Sequence, residues 1–186
     1  MSELLKILLR TLPFLIIIVA LMIRVKKGKM SKDELGLRTP DTKLKAFIWC
    51  ASFLVFCIAT ELTLYHFKLL EVKTHEFKIL TSSVRILGMV LLAPIAEELL
   101  YRGLFLSKLM SFKINKHLSI FLLSILFVVV HSFAFENTLM SKIGIVQAFL
   151  DSTLFAYARL KTKSIYTPII MHMTGNLVAT FEMFLL

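Results

Sequence analysis

Six stretches of mostly apolar residues run along the chain, separated by short polar and basic segments. They cover about Leu4–Ile23, Ala46–Phe67, Arg85–Leu106, Leu118–Phe135, Ile143–Ala158 and Ser164–Leu186. Each approaches the ~20 apolar residues that carry a helix across hydrocarbon. None alternates with the period of two that marks a barrel strand. The pattern predicts an all-α fold, a polytopic transmembrane helix bundle of about six spans. The first stretch begins with basic residues, Lys6 and Arg10, as a signal peptide does. No Ala-x-Ala-type cleavage site follows it, and Arg24-Val-Lys-Lys-Gly-Lys closes it as an uncleaved anchor. No internal repeat, low-complexity tract or soluble domain breaks the series.

Composition sharpens this reading. Of 186 residues, 58% are hydrophobic and 18% charged, with a mean hydropathy of +0.81. A soluble domain carries about a quarter of its residues as charges, so a soluble fold, a disordered chain and a secreted disulfide scaffold are excluded. Cys50 and Cys57 are seven residues apart in one apolar run. On a helix they stand roughly 10 Å apart, too far for a bridge, and read as buried free thiols.

The net charge of +10 matters through its distribution rather than as a nucleic-acid signal. Loop 24–45 carries eight basic residues, and segments 108–117 and 159–163 carry three each. In a six-span chain these lie on one side, against seven on the other: Lys6, Arg10, Lys68, Lys73, Lys78, Arg85 and Lys142. That bias predicts cytoplasmic basic loops and both termini outside.

Ionisable residues inside the spans come next, because the membrane makes them costly and usually functional. The third span contains Glu97, Glu98 and Arg102. Three central charges cost roughly 8–10 kcal/mol on the insertion scale, while a dozen large apolar residues return only about 4–7. These charges must pair, protonate or face a polar cavity. Glu98 and Arg102 are i and i+4, spaced for a salt bridge. Glu97 lies about 100° further round the helix and can point elsewhere. The fourth span carries Phe127-x-x-x-His131. The sixth carries His172-x-x-x-Asn176, which puts an imidazole and an amide on one face. A catalytic layer in spans 3, 4 and 6 follows. Asp151 in the fifth span reads two ways: as lining a cavity or contacting substrate, or as paired with a hydroxyl or near a hydrated region. Glu61 is expected near the outer interface.

A carboxylate and an imidazole sharing a water can act as general base. An imidazole and an amide on adjacent turns can donate to a developing oxyanion. The expected roles are Glu97 and His131 activating water, with His172 and Asn176 stabilising the tetrahedral intermediate. Glu98 and Arg102 would hold the carboxylate face in place. The rival chemistry is a zinc site, since Glu and His are zinc ligands. The chain has no His-Glu-x-x-His signature, and ligands would have to converge from three helices. No Gly-x-Ser-x-Gly element suggests a serine hydrolase. No metal and no other cofactor are therefore expected.

The ordered set Glu97-Glu98-x-x-x-Arg102, Phe127-x-x-x-His131 and His172-x-x-x-Asn176 resembles the CPBP (Abi) family of intramembrane proteases. That family groups type II CAAX prenyl endopeptidases with bacterial relatives linked to bacteriocin processing and self-immunity. Ser124-Ile-Leu-Phe before the first histidine and Arg159-Leu-Lys-Thr-Lys-Ser-Ile-Tyr-Thr-Pro-Ile-Ile before the second agree with it. So does Glu34-Leu-Gly-Leu-Arg ahead of a span. The resemblance covers about residues 83–186 and extends weakly to 32. It implies a protease core over 83–186, preceded by anchor spans and a basic cytoplasmic loop over 1–82. It also implies an endopeptidase acting on a membrane-associated peptide or protein in a bacterial cell membrane, with the lipid bilayer and no nucleic acid as partners. The chain departs from larger members in its six expected spans and in Asp151. The competing reading is a non-catalytic immunity or regulatory protein that binds a bacteriocin or a sensor partner. An ion or proton pathway would need a chain of polar residues along the bundle rather than one layer.

Overall fold

The structure is a computed structural model that describes residues 2–69, 78–131 and 136–185. Seven helices account for nearly all of them: α1 (Glu3–Lys26), α2 (Lys32–Leu35), α3 (Lys43–His66), α4 (Ile79–Ser111), α5 (Lys116–Val129), α6 (Leu139–Thr162) and α7 (Tyr166–Leu185). The described residues contain no strand. The architecture is the expected all-α membrane helix bundle. α1, α3, α4 and α6 are long and apolar enough to cross a membrane, and α5 is a shorter apolar helix. The expected fourth span ran to Phe135, and its last four residues lie outside the described ones, as do residues 70–77 of the polar segment after α3. α4 starts six residues before the stretch read from hydropathy, because the polar turn Thr81-Ser82-Ser83 is still helical.

Local sequence explains where the helices start. Ser2, Asn115 and Thr138 each accept a backbone N–H at the N-termini of α1, α5 and α6, satisfying donors that a helix end leaves open. α2 is fixed by a capping box between Ser31 and Glu34, and by Gly36 in the left-handed conformation behind it.

Burial follows the solvent the bundle requires. Leu8, Leu12, Ile16 and Val19 of α1, Phe47 and Val55 of α3, and Phe121 and Leu122 of α5 are exposed. A soluble protein would not leave so continuous an apolar surface uncovered. The interior holds small and polar groups: Ser119, Ser124, Ser152, Thr162 and Thr167 are buried. Small residues let membrane helices approach closely, and Ser124 and Thr153 share a hydroxyl–hydroxyl bond of 3.0 Å between α5 and α6.

The three basic segments meet at one end of the bundle. Ser107 Oγ donates to the Glu34 carbonyl, Ser164 Oγ donates to the Arg38 carbonyl at 2.6 Å, and Lys163 Nζ lies 3.0 Å from Asp41. The hydrogen bond from Lys163 holds the Asp41 carboxyl below its ordinary pKa. The loop after α1 thus docks on the turn joining α6 to α7, the two helices that carry most of the polar interior.

Candidate active site

α4 is not a regular α-helix. It widens into π turns over Leu87–Leu92 and Leu99–Phe105, on either side of the segment bearing Glu97 and Glu98. Such insertions mark functional sites in many proteins, and here the first has a traceable cause. In the π register the Ala93 N–H bonds to the Gly88 carbonyl. The next bond in that register would run from residue 94 to Met89, but Pro94 has no N–H. The carbonyl of Met89 is left to another donor, and the Asn176 side-chain amide supplies it at 2.7 Å. A proline in α4 therefore creates the acceptor that fixes an amide on α7.

The second π segment carries Arg102. Its Nη1 donates to Glu98 Oε1 at 2.9 Å, and its Nη2 donates to the carbonyl and hydroxyl of Ser152 at 2.9 and 2.7 Å. Both charged side chains are almost wholly buried, 0% exposed for Glu98 and 1% for Arg102. The guanidinium lies 4.9 Å from the Phe127 ring centre, 5.4 Å from Phe155 and 5.7 Å from Tyr101. Aromatic faces replace water around a cation that has lost its hydration.

Glu98 does more than pair with Arg102. The same Oε1 lies 2.9 Å from Nδ1 of His172. The other ring nitrogen, Nε2, stands 3.9 Å from Oε2 of Glu97. One imidazole is thus bracketed by two consecutive carboxylates, which reach it on opposite sides because neighbouring helical residues diverge by about 100°. Phe155 stacks on the imidazole at 5.0 Å and 23°. Oε2 of Glu97 and Oε2 of Glu98 are both buried without a hydrogen-bond partner among the described residues.

His131 lies just beyond the end of α5, with Nδ1 2.6 Å from the Phe127 carbonyl and its ring 4.6 Å from Phe127. Phe127 also meets His172 edge-on at 5.9 Å, so one phenyl ring separates the two histidines. His131, His172 and Asn176 all line an open cavity of about 280 Å³ bordered by α3, α5, α6 and α7. Glu97 is not on its wall and meets it through His172.

The expected site residues are therefore found in one neighbourhood, with a different wiring. Glu98 is tied to His172 as well as to Arg102. Glu61, expected near the outer interface, stands late in α3. It lines the same cavity, with Gln147 Nε2 3.4 Å from its Oε1, and Asp151 lines it too. Ser152, Phe155 and the Met89 carbonyl had no sequence signal as site elements. Cys50 and Cys57 are free thiols. No group of three His, Cys, Asp or Glu side chains among the described residues is arranged to hold a metal ion.

A membrane helix bundle with two buried carboxylates around a histidine narrows the class of protein, and comparison with known families resolves it further. The family model for Type II CAAX prenyl endopeptidase Rce1-like proteins matches residues 79–178. That is more than half of the chain, and the chain belongs to this Rce1-like family. The family is one of membrane-embedded proteases, and the chain is an integral membrane protein. No curated protein and no solved structure matches it.

Proposed function

We propose that the chain is an intramembrane endopeptidase that hydrolyses a peptide bond of a membrane-associated peptide or protein. The observation that carries this reading is the Oε2 of Glu97: a buried carboxylate oxygen without a hydrogen-bond partner, 3.9 Å from an imidazole nitrogen on the wall of a cavity. Glu98 has one oxygen spent on Arg102 and His172, whereas the carboxylate of Glu97 makes no hydrogen bond among the described residues.

In the proposed reaction Glu97, from beside His172, and His131, from the cavity wall, hold a water against the scissile carbonyl. Glu97 takes a proton as the water oxygen bonds to the carbonyl carbon. The electron pair of the C=O bond moves onto oxygen, where the second amide N–H of Asn176 faces it, and Nε2 of His172 joins as a donor once it has taken the proton. The proton passes from Glu97 to Nε2 of His172, and Glu98 stabilises the imidazolium through Nδ1, as the buried aspartate of a serine protease does. The proton is then delivered to the leaving nitrogen as the C–N bond breaks. Arg102 holds Glu98 in place. The scheme uses no metal or other cofactor.

The substrate side remains with the membrane: a peptide within or against the bilayer, and no nucleic acid. Residues 83–186 form the protease core in this reading, with 1–82 as anchor spans and basic loop. The basic end faces the cytoplasm of a bacterial cell, with both termini outside. The test compares membrane-associated peptides of cells carrying the wild-type chain and Glu97→Gln. Peptides produced only by the wild type are the expected result. Equal peptide sets with both inserted in the membrane would remove the hydrolase reading in favour of a binding protein for a bacteriocin or sensor.

A further inference from the structure

The cavity is lined by two chemically unlike sets of side chains. One comprises the histidines and Asn176 of the proposed reaction. The other comprises two carboxylates that the reaction does not use, Glu61 on α3 and Asp151 on α6. Gln147, one turn before Asp151, lies 3.4 Å from Glu61 and holds that side chain toward the cavity. Asp151 makes no hydrogen bond or ion pair among the described residues. No Lys or Arg lines the cavity. A carboxylate within a membrane helix is costly and is kept where it faces a partner. The cavity also holds the edge of a histidine only 9% exposed, whose Nε2 makes no hydrogen bond among the described residues. A group able to occupy this space meets an imidazole nitrogen and two carboxyl side chains lining the same cavity.

We propose that Asp151, supported by Glu61, is a specificity-determining subsite that takes a basic side chain of the peptide next to the bond cleaved. The substrate class is then a membrane-associated peptide with a lysine or arginine within its apolar stretch. Such a residue is as costly in lipid as the carboxylates are, so the cavity relieves both. This proposal rests on the hydrolytic reading for its consequence, and on the charge of the cavity for its binding step.

The experiment separates the two. The full chain is placed in nanodiscs of uncharged phosphatidylcholine with matched peptides of roughly 20 apolar residues, carrying one central Lys or one central Gln. Binding is read by fluorescence with Glu97→Gln, which leaves both cavity acids in place, and cleavage is read by mass spectrometry with the wild type. The expected result is that the Lys peptide binds roughly tenfold more tightly, and that adding Asp151→Asn brings the ratio near one while binding of the Gln peptide is kept. Glu61→Gln should lower the ratio partway. Equal binding of the two peptides to Glu97→Gln overturns the proposal without recourse to any Asp151 variant, and so does a preference that survives Asp151→Asn. A Lys preference without cleavage by the wild type leaves the subsite standing and removes the peptidase; cleavage without a preference does the reverse.

Discussion

The carboxylate of Glu98 lies 2.9 Å from Nδ1 of His172, across 74 residues of sequence. An ionised carboxylate only accepts, so this contact places a proton on Nδ1 and leaves Nε2 facing Glu97. Glu98→Gln keeps the shape and loses the charge that stabilises the imidazolium. In a histidine-dependent hydrolysis it should lower the rate roughly 10²–10⁴-fold. The measurement is the rate of product formation on a peptide cut by the wild type. An unchanged rate would detach Glu98 from the chemistry and leave it a packing residue.

Arg102 makes a different demand on the same carboxylate. Its guanidinium is 1% exposed and spends its donors on Glu98 and Ser152. Arg102→Met removes one partner of a buried pair and leaves an uncompensated charge, at a cost of about 3–5 kcal/mol. Replacing both, as Glu98→Leu with Arg102→Met, should recover much of that loss, because neither charge is left alone. Thermal unfolding in detergent of the two single variants and the double variant provides the cycle. A double variant as unstable as the sum of the singles would show that the pair contributes nothing through its contact.

The bundle itself was legible from hydropathy because a lipid-facing helix must be apolar over its whole length. Two site relationships were legible because i,i+4 spacing dictates them: the Glu98–Arg102 contact, and His172 and Asn176 on one face. That Glu61 faces the cavity was not legible, for the same physical reason that made its span easy to find. α3 is apolar all round, so periodicity does not single out an inward face. The Glu98–His172 contact joins helices whose relative rotation no local pattern sets. The His131 position depends on where α5 stops, a boundary that apolar residues on both sides conceal. Pro94 was visible, but its consequence required the π register.

That consequence can be tested directly. Pro94→Ala restores an N–H at residue 94, able to reach the Met89 carbonyl that now accepts from Asn176 at 2.7 Å. Helix stability should be kept or rise, since the variant removes an internal proline. Activity should fall, because the amide on α7 loses the contact that aims it. Asn176→Leu removes both the contact, worth about 1 kcal/mol, and an oxyanion donor, worth roughly 10²–10³ in rate. Measured together, the two variants place Met89 in the same line of cause. If Pro94→Ala leaves the rate unchanged while Asn176→Leu abolishes it, the amide is aimed by something other than the π turn.

The docking of the basic loop rests on one glycine more than on its many charges. Gly36 has a φ of 70°, and a Cβ there would fall on the guanidinium of Arg159 near the end of α6. Its carbonyl accepts from the Ile165 N–H at 2.8 Å, in the turn between α6 and α7. Gly28 is its natural control: φ is 66°, but a Cβ there meets nothing within 4 Å. Gly28→Ala should cost only the left-handed backbone penalty, about 1 kcal/mol. Gly36→Ala should cost that and the displacement of Arg159, about 2–3 kcal/mol in all. Because the loop seals the turn that spaces His172 from Asp151, undocking at Gly36 should also open segment 27–42 to proteolysis at temperatures where the Gly28 variant resists. Equal melting temperatures and equal cleavage of the two variants would mean that the loop rests on the bundle without bracing it.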